Sequence, residues 1–591
     1  MALLDMRFLR YIGIRKKPKA PWLKYYSKKE QDVRIPNVSI YNFWVYRMKK
    51  YNLYDNCAIN YYGQKRTYRE LLYQVDEAAK AFKYQGIRKG DVVTILSANI
   101  PEAVISFYAL NKIGAVPNLL HPMLSENEIR KALQDYSSVM LVAIDVCYKT
   151  IKKVVKDTRV YKTVIISAKD SMGVLMKAVY SITQSYKIRR PHFRPGFITW
   201  KEFIKSAKYY RGRKIDAETT KDDPGLILQS GGTTGTPKGI VLSNGNFHAS
   251  TLAALKALSE LDRHDKILGI MPIFHGFGLG ISINDALCIG AEIVLIPRFK
   301  ASEFDKLLVK HNPSVLVGVP TLFSALTTNE RMEGVSLANL KYVISGGDTL
   351  KKSQVEDINQ FLHDHGAKTN LMQGFGMTEC VSVVSVDLKN ASKPGTIGIP
   401  VPGVYVKIIK PETEIEVPYG EEGEICICGN PVMLGYYNNA KETNAILRLH
   451  ADGNLWLHSG DIGSMDKDGF ITYKQRLKRM IVSSGYNVYP SQIEEVIEKH
   501  PAVLDVNVIG VPHPYKVEVP KAYIVLKKGY YENKEIREEI MELCNKNLAH
   551  YSIPKELEFR SSLPKTIIGK VDFRKLQEEN IAKRGSLKEE R

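Results

Sequence analysis

Apolar and polar positions alternate with two periods along most of the chain. Residues 68–82 carry apolar side chains at the spacing of one helix face, and residues 91–96 form a short apolar run typical of a strand. The same alternation continues through residues 102–116 and 138–144, and it resumes over residues 224–385. Strands that alternate with helices in this way predict an α/β fold built on mostly parallel sheets.

Between these two α/β stretches, residues 169–214 break the rhythm and predict an insertion. The insertion contains a short amphipathic stretch, residues 172–182, and then a basic run at residues 187–194. Two interpretations of it stay open, a lipid-facing patch and a solvated surface loop.

The pattern changes again beyond about Ser385, where glycine, proline and short strands dominate residues 394–403 and 422–429. A polar, basic run follows at residues 475–479, and we expect a hinge there. The tail beyond the hinge alternates helices and strands, at residues 490–500, 503–511, 521–526 and 533–548. The predicted architecture is therefore a large N-terminal domain of two α/β subdomains plus a small β-rich subdomain, with a small mobile α+β C-terminal domain.

Length, composition and charge limit the class of protein. The 591 residues are 44% hydrophobic and 25% charged, which is typical of a folded globular chain with at least two domains. The 84 Lys and Arg against 63 Asp and Glu give a net charge of +21, which attracts nucleotides, acidic lipid headgroups or nucleic acid. The first 30 residues mix apolar and basic side chains, so peripheral membrane contact and a loosely ordered basic arm both stay open.

Targeting features and cysteines indicate the compartment. No run approaches the roughly 18 apolar residues that cross a bilayer, and no cleavable leader is recognisable, so we expect a cytoplasmic protein, with peripheral contact at the inner membrane face as the alternative. The seven cysteines are dispersed and lack paired Cys-x2-Cys spacing, which indicates a reducing compartment and no metal cage. Cys426 and Cys428 would share one strand face, and we interpret both as buried packing residues.

A Gly- and Thr-rich loop between two apolar runs carries the clearest chemistry. It reads Leu228-Gln-Ser-Gly-Gly-Thr-Thr-Gly-Thr-Pro-Lys-Gly-Ile240. Glycines let backbone N–H groups approach phosphate oxygens, hydroxyls donate hydrogen bonds and the lysine adds positive charge. The order differs from the Gly-x4-Gly-Lys-Ser/Thr of common NTPase loops. The predicted triphosphate-binding residues are Ser230, Gly231, Gly232, Thr233, Thr234, Gly235 and Lys238.

Three further motifs follow the loop in order: Gln373-Gly-Phe-Gly-Met-Thr-Glu379, Leu457-His-Ser-Gly-Asp-Ile-Gly463 and Leu563-Pro-Lys-Thr-Ile-Ile-Gly-Lys570. Together with the loop they resemble the adenylate-forming enzymes, the superfamily of acyl-CoA synthetases, non-ribosomal peptide adenylation domains and luciferases. The resemblance covers roughly residues 40 to 580. It implies an AMP-binding adenylation domain at 35–474, a hinge at 475–478 and a C-terminal lid at 479–591, after a basic arm at 1–34.

The second motif supplies the predicted metal and adenine contacts. A carboxylate beside a triphosphate suits Mg²⁺, which prefers hard oxygen ligands and neutralises the departing pyrophosphate. We therefore expect Glu379, together with Thr234, to hold magnesium. By the resemblance, Thr378 would bind the α-phosphate. The adenine-binding residues that the resemblance implies are Gly347, Asp348, Gln373, Gly374 and Phe375.

The later motifs resemble the family's ribose and lysine segments. Asp461 would accept the protons of both ribose hydroxyls, and Arg476 would make the other ribose contact. Lys570 would be the adenylation lysine. A cation between a carboxylate and an α-phosphate offsets their repulsion and aligns the attack, so the proposed chemistry has a clear physical motive.

The resemblance also implies a second half-reaction. The C-terminal domain would rotate about Lys478 after pyrophosphate leaves, and Ser484 and Gly485 would then line a path for the pantetheine thiol. The chain departs from the family at two positions. Gly231 stands where Ser or Thr is frequent, and Gln475 stands where Gly or Asp is usual.

The choice of acid rests on three features. By the resemblance, His275 lies where amino-acid-activating relatives carry an aspartate for the substrate ammonium. We therefore expect a substrate-pocket or thiol-path residue here and not an amino-acid site. Residues 318–326 and 480–490 are similar to medium- and long-chain fatty acyl-CoA ligases, and the first stretch is apolar enough to line an acyl channel. Aryl and other carboxylic acids stay open as alternatives.

The acceptor is predicted to be coenzyme A. Only 21 residues follow Lys570 (591 − 570), too few for a carrier domain, although a separate acyl carrier protein remains an alternative. The predicted ligands are thus ATP, Mg²⁺, coenzyme A and a carboxylic acid. No nucleic acid is expected, and a homodimer stays open. The rival hypothesis is a nucleic-acid- or membrane-binding protein that has lost catalysis.

Overall fold

The computed structural model describes residues 16–184, 196–230, 238–348, 350, 352–479, 481–483, 486–513, 517–565 and 571–589. The chain divides into two compact units. The first comprises Met1–Val406, Ile427–Leu457 and Lys467–Ile471. The second comprises Lys407–Cys426, His458–Asp466 and Thr472–Arg591, so that its sequence is gathered from three separate stretches.

The strands, in chain order, are β1 Cys57–Tyr61, β2 Gln64–Thr67, β3 Val92–Leu96, β4 Val116–Leu120, β5 Met140–Ile144, β6 Lys162–Ile166, β7 Phe197–Thr199, β8 Pro224–Gln229, β9 Gly239–Ser243, β10 Lys266–Gly269, β11 Glu292–Leu295, β12 Val315–Gly318, β13 Tyr342–Ser345, β14 Leu371–Phe375, β15 Ser385–Val386, β16 Ile399–Pro400, β17 Val404–Ile409, β18 Gly423–Gly429, β19 Gly435–Tyr436, β20 Leu447–Leu449, β21 Leu455–Met465, β22 Ile471–Arg476, β23 Ile481–Ser483, β24 Tyr486–Val488, β25 Val503–His513, β26 Val517–Leu526 and β27 Glu556–Arg560.

The α-helices are Lys28–Gln31, Ile40–Lys50, Tyr68–Tyr84, Pro101–Lys112, Glu126–Asp135, Tyr148–Val154, Val174–Gln184, Trp200–Lys205, Asn244–Ala257, Ala286–Ile289, Phe304–His311, Pro320–Thr327, Lys352–Asp364, Ala440–Ile446, Pro490–Ile497, Lys534–Asn547 and Phe573–Glu589. A π-helix spans Gly278–Asp285. The 3-10 helices are Pro21–Tyr25, Asp145–Cys147, Val155–Asp157, Ser206–Tyr209, Ala301–Glu303, Glu330–Met332, Thr378–Cys380, Leu477–Arg479 and His550–Ser552.

Two large sheets carry the first α/β layers. One has the strand order β16-β15-β14-β13-β12-β10-β11-β1-β2, and the other has the order β19-β9-β8-β4-β3-β5-β6-β7. In both sheets the central strands pair in parallel. Antiparallel pairs lie at both ends of the first sheet and only at the β19 end of the second. The prediction of two α/β subdomains on mostly parallel sheets is therefore confirmed.

The remaining strands are antiparallel in large part and form two five-stranded sheets. One five-stranded sheet has the order β17-β18-β21-β20 with β22 beside β21, as the Gly- and Pro-rich pattern predicted. Another has the order β24-β23-β26-β25 with β27 beside β26, and its helices pack on a core that includes Ile493, Ile497 and Ile540. This last sheet with its helices is the predicted small α+β domain.

The basic arm is packed from residue 16 onward, so the loosely ordered interpretation is wrong for residues 16–34. Trp22 is completely buried, and its backbone and Cβ lie close to Gly469, where a side chain would collide with them. Asn454 Nδ2 donates to the carbonyl of Lys16 at 2.8 Å, and Lys24 pairs with Asp468. An aromatic anchor that the basic composition concealed therefore holds this segment on the first unit.

The predicted insertion is partly integrated into the fold. Its strand β7 extends the second sheet beside β6, and Phe203 packs against Phe82 with ring centroids 4.7 Å apart. The helix Val174–Gln184 leaves Val174 and Leu175 88% and 78% exposed. Residues 185–195, which include most of the basic run, lie outside the described residues. Among the described helices, none is long and apolar enough to cross a membrane.

A buried carboxyl near the end of the π-helix predicts a pH dependence of stability. Burial raises the pKa of Asp285 to about 7. The folded protein thus holds this proton more tightly than the unfolded chain, where an aspartate ionises near pH 4. The stabilising contribution is complete below about pH 4 and is lost as the pH rises through about 7.

We therefore expect the variant Asp285→Asn, which cannot ionise, to lose less stability than the wild type between pH 5 and pH 8. The difference in the change of unfolding free energy should be roughly 2–4 kcal/mol. Denaturant titrations at several pH values measure it, with the exposed Asp135→Asn as the matched control. If the unfolding free energy changed equally with pH in the wild type and in Asp285→Asn, the Asp285 carboxyl would not be the cause of the pH dependence. Glu102, whose pKa burial raises to about 7, leaves a residual slope in the variant.

Candidate active site

A cleft opens at the carboxyl ends of the parallel neighbours β13 and β14, where ligands of open α/β sheets commonly bind. Ser345 pairs in register with Gln373, so the residues that follow the two strands meet at one edge. The empty volume of the cleft, including the part open to solvent, is about 670 Å³, a size that suits a small-molecule ligand. The sequence-predicted residues that line it are His275, Gly347, Gly374, Phe375 and Thr378.

The cleft wall contains a buried hydroxyl, that of Ser345, without a hydrogen-bond partner among the described residues. Ser345 is 2% exposed, and its Oγ has no hydrogen-bond partner within the described part of the chain. A buried polar group without a partner costs about 1–3 kcal/mol, so the position favours a ligand that supplies one. A purine base, with its ring nitrogens and exocyclic amine, fits this wall of glycine backbone and hydroxyl.

Glycines at the cleft are required by close backbone approach. A Cβ on Gly376 would lie 1.4 Å from the carbonyl oxygen of Ser382, and one on Gly276 would lie 1.8 Å from that of Val381. Neither contact is sterically allowed, and backbone atoms cannot step aside as a flexible side chain can. The two glycines therefore let the loop that contains Gly276 and the connection between β14 and β15 pack closely at the cleft.

A strained turn lies between these glycine contacts. Val381 has φ +69° and ψ −66°, and the N–H of Ser382 donates to the carbonyl of Cys380 at 2.8 Å. These values describe a γ-turn with positive φ, which is rare and costs energy for a β-branched residue. The turn makes Val381 part of the cleft wall. Sequence reasoning missed this turn, because a valine in a sequence gives no sign of a positive φ.

Thr378 and Glu379 lie in one 3-10 turn directly before this γ-turn. Thr378 is buried at the cleft, whereas Glu379 is half-buried. The Glu379 Oε1 atom accepts a hydrogen bond from Tyr436 Oη at 3.0 Å, and the Glu379 carbonyl accepts one from the N–H of Met433 at 2.7 Å. A carboxylate held in this way can offer its second oxygen to Mg²⁺, so its donor chemistry fits the predicted metal role.

The base of the predicted phosphate loop is closed by two hydrogen bonds. The N–H of Ser230 donates to the carbonyl of Lys238 at 2.8 Å, and the N–H of Lys238 donates to Ser230 Oγ at 2.9 Å. Lys238 also forms an ion pair with Glu442. The loop residues Gly231, Gly232, Thr233, Thr234 and Gly235 lie outside the described residues.

The other predicted adenine contacts lie beside the cleft. Gln373 is nearly buried, and its Nε2 donates to the carbonyl of Thr396 at 3.1 Å, so its side chain supports a loop. The N–H of Gln373 donates to Asp387 Oδ2 at 2.9 Å, while burial raises the pKa of Asp387 to about 6. Asp348 is exposed. Neither Gln373 nor Asp348 is among the residues that line the cleft.

His275 lines the cleft on the turn that precedes the π-helix. Its Nδ1 accepts a hydrogen bond from the N–H of Phe277 at 3.2 Å, and its backbone N–H donates to the carbonyl of Pro272 at 3.1 Å. With Nδ1 as an acceptor, the neutral ring carries its proton on Nε2. The ring is thereby oriented by the turn in which it sits.

The apolar wall of the cleft comes from residues that differ from those expected. Residues 318–326 were predicted to line an acyl channel, but Leu322, Phe323 and Leu326 pack into the core of the first unit. Apolar character alone does not distinguish a core face from a cavity face. The apolar residues that line the cleft include Ala254, Ala257, Leu258, Ile281 and Val401.

The predicted ribose residues belong to the second unit and form an ion pair. Asp461 is completely buried, and Arg476 Nε lies 3.0 Å from Asp461 Oδ1. Arg476 Nη1 also donates to the carbonyl of Ser459 at 3.3 Å. Gln475, at the predicted hinge, is 2% exposed and accepts a hydrogen bond from Ser491 Oγ at 3.3 Å.

The other predicted residues of this unit are Lys478, Ser484, Gly485 and Lys570. Lys478 lies in the 3-10 turn Leu477–Arg479. Ser484, Gly485 and Lys570 lie outside the described residues.

A buried cluster that sequence reasoning missed supports the turn at Asp461. Glu424 Oε2 accepts from His458 Nδ1 at 3.0 Å, and Glu424 Oε1 accepts from the N–H of Gly460 at 3.1 Å. Potential metal-ligand atoms of Glu424, Cys426 and His458 lie within 4.8 Å of one another. Because both carboxylate oxygens already accept N–H donors, we interpret the cluster as a hydrogen-bonded support. Glu424 and His458 are 34 residues apart, so no local pattern could have joined them.

Comparison with known proteins identifies the family of the chain. The model of the AMP-binding enzyme family matches residues 47–437, and the model of the AMP-binding enzyme C-terminal domain matches residues 492–570. A long-chain-fatty-acid–CoA ligase of Bacillus subtilis (strain 168) is 33% identical over 566 residues, which cover 95% of this chain and 98% of the relative.

Solved structures share the fold. The anthranilate CoA ligase AuaEII in complex with anthranoyl-AMP has a TM-score of 0.77 at 22% identity, with 92% of this chain and 97% of that chain covered. ATP-bound MatB from Rhodopseudomonas palustris has a TM-score of 0.78 at 24% identity, with 91% and 98% covered. The family model matches more than half of the chain, and the chain therefore belongs to the AMP-binding enzyme family, as an adenylate-forming acid–thiol ligase.

Proposed function

We propose that this protein activates a fatty acid of medium or long chain with ATP and transfers the acyl group to coenzyme A. In the first step a carboxylate oxygen attacks the α-phosphorus, the bond to the bridging oxygen breaks, and pyrophosphate leaves. In the second step the coenzyme A thiol loses its proton, its sulfur attacks the acyl carbon, and AMP leaves with the original carboxylate oxygen. ATP, Mg²⁺ and coenzyme A are the cosubstrates and metal that this reaction requires.

The observation that carries the proposal is the convergence at the ends of β13 and β14. Motif residues far apart in sequence, from His275 to Thr378, line one cleft that also contains the unsatisfied hydroxyl of Ser345. The described residues thus offer backbone and a hydroxyl to a base, Thr378 to the α-phosphate, and Glu379 as a magnesium ligand. Lys570 would supply the cation between carboxylate and α-phosphate.

Two observations favour a fatty acid over other acids. The relative from Bacillus subtilis, which aligns over nearly the whole of both chains, is a long-chain-fatty-acid–CoA ligase. The cleft wall is largely apolar. Ala254, Ala257 and Leu258 line it from the end of one helix, and Ile281 and Val381 line it from other elements. Apolar surface attracts an alkyl chain at roughly 0.8 kcal/mol for each buried methylene group.

An aryl acid is the second candidate. The anthranilate CoA ligase shares the fold, and a cleft of this size also suits an aromatic ring. The two candidates differ in how activity changes with chain length. A ligase for medium or long alkyl chains should prefer octanoic or palmitic acid to butyric acid, whereas an aryl-acid ligase should prefer benzoic or anthranilic acid to all of them.

The test measures pyrophosphate release and thioester formation over a panel of these acids with the full chain, ATP, Mg²⁺ and coenzyme A. We expect palmitic or octanoic acid to give the highest kcat/KM. In Ala257→Phe, the added ring should lower kcat/KM for palmitic acid about tenfold or more, because one misfitted apolar group is worth about 1–3 kcal/mol. The control Ala178→Phe places the same change on an exposed helix face.

The result that contradicts the fatty-acid assignment is pyrophosphate release with aryl acids alone. Formation of acyl-AMP without acyl-CoA would instead favour a carrier-protein acceptor. If neither adenylate nor thioester forms with any acid, and the protein is retained on DNA in a salt-dependent manner, a nucleic-acid-binding role replaces the proposal.

A further inference from the structure

We propose that Tyr436 is a positioning residue that holds the magnesium carboxylate and the phosphate-loop lysine in one arrangement. The inference rests on the proposed function, because it acts through Glu379 and Lys238 in ATP binding. It adds a residue outside the sequence motifs that were singled out for chemistry. Three sets of contacts around the short strand β19 carry it.

The first set fixes the position of Tyr436 itself. Strand β19 pairs antiparallel with β9, with Tyr436 opposite Ile240, just beyond the end of the phosphate loop. The N–H of Tyr436 donates to Thr443 Oγ1 at 2.9 Å. The next residue, Tyr437, donates its N–H to the carbonyl of Gly239 at 2.7 Å. Tyr436 is 7% exposed, so its ring is packed among neighbouring residues.

The second set joins Tyr436 to Glu379. Tyr436 Oη lies 3.0 Å from Glu379 Oε1, and the N–H of Met433 lies 2.7 Å from the carbonyl oxygen of Glu379. One segment therefore holds both the side chain and the backbone of this glutamate. Because a hydroxyl that donates to one carboxylate oxygen fixes the rotation of the group, it also sets the direction of the second oxygen, which would be the metal ligand.

The third set joins the same ring to the phosphate lysine. Lys238 Nζ lies 4.8 Å from the centre of the Tyr436 ring, within the range of a cation–π contact. Lys238 also pairs with Glu442, which lies six residues after Tyr436 in the helix Ala440–Ile446. The ammonium is thus held between a ring face and a carboxylate of one segment.

These contacts assign two separable functions to one side chain. The hydroxyl orients the carboxylate that binds the metal, and the ring face locates the cation that binds phosphate. A hydrogen bond to a charged group is worth about 1.5–3 kcal/mol, so loss of the hydroxyl alone should change metal affinity substantially. Loss of the ring should change the affinity for ATP as well.

The test uses Tyr436→Phe in the full chain, which removes the hydroxyl and keeps the ring. We expect the Mg²⁺ concentration for half-maximal ATP–pyrophosphate exchange to rise about tenfold or more. The rate at saturating Mg²⁺ and the KM for the acid should stay close to those of the wild type. Tyr437→Phe, the adjacent tyrosine, is the matched control and should leave the Mg²⁺ dependence unchanged.

A double variant separates positioning from a general effect on folding. In the Glu379→Gln background, the added change Tyr436→Phe should have no further effect on Mg²⁺ dependence, because the two groups act as a unit. Thermal unfolding of each variant reports whether the fold persists. Tyr436→Leu, which also removes the ring, should raise the KM for ATP beyond the effect of Tyr436→Phe.

The outcomes distinguish this inference from the proposed function. An unchanged Mg²⁺ dependence in a folded Tyr436→Phe overturns the inference while acid activation stands. Additive effects of Tyr436→Phe and Glu379→Gln overturn it equally, because they would place the two residues in separate functions. If the wild type catalyses no exchange with any acid, the proposed function fails first and the inference fails with it.

Discussion

Replacing Lys570 with alanine is expected to lower the rate of acyl-adenylate formation by about 100-fold or more. The lysine is predicted to place its ammonium between the carboxylate and the α-phosphate, which repel each other before the new bond forms. A preorganised charge of this kind typically contributes 10²–10³ in rate. ATP–pyrophosphate exchange with the preferred acid measures the first half-reaction directly.

The second half-reaction supplies the internal comparison. Thioester formation from a synthetic acyl-adenylate and coenzyme A should proceed in Lys570→Ala at the wild-type rate, since no oxygen–phosphate repulsion remains to be offset. Lys575→Ala, an exposed lysine of the following helix, is the matched control for loss of positive charge. Unchanged exchange in Lys570→Ala would show that another cation performs this role.

Replacing Glu379 with glutamine should produce the second large effect. The amide keeps the size of the side chain but removes the negative charge that Mg²⁺ requires of a ligand. We expect exchange at low millimolar Mg²⁺ to fall by about 100-fold, with partial recovery as Mg²⁺ increases. The exposed Glu421→Gln serves as the control. A Glu379→Gln enzyme with wild-type Mg²⁺ dependence would remove the glutamate from the metal site.

Much of the architecture could be predicted from periodicity, because buried parallel strands and the helices between them each leave a regular apolar pattern. The short antiparallel strands at the edges of the sheets were harder to predict from the sequence. Strand β19 has only two residues, Gly435 and Tyr436, and so carries no pattern at all. Its position beside β9 is set by pairing with a strand distant in sequence. The same pairing places Tyr436 in contact with Glu379.

The candidate site shows the same division. Glycine-rich motifs are places where the backbone can approach a ligand closely, and the structure brings Gly347 and Gly374 to the ends of β13 and β14. Apolar stretches carry no such mark. Phe323 faces the core, whereas Ala254 and Ala257 line the cleft. The γ-turn at Val381 and the bond between Glu424 and His458 depend on contacts that are distant in sequence.

The most direct test of acid activation follows an oxygen atom. The preferred fatty acid, labelled with ¹⁸O in its carboxylate, is converted with ATP, Mg²⁺ and coenzyme A, and the products are analysed by mass spectrometry. Attack of the carboxylate on the α-phosphorus, followed by thiol attack on the acyl carbon, predicts one ¹⁸O in each AMP released. Label in inorganic phosphate, or acyl-CoA formed without labelled AMP, would contradict an adenylate intermediate.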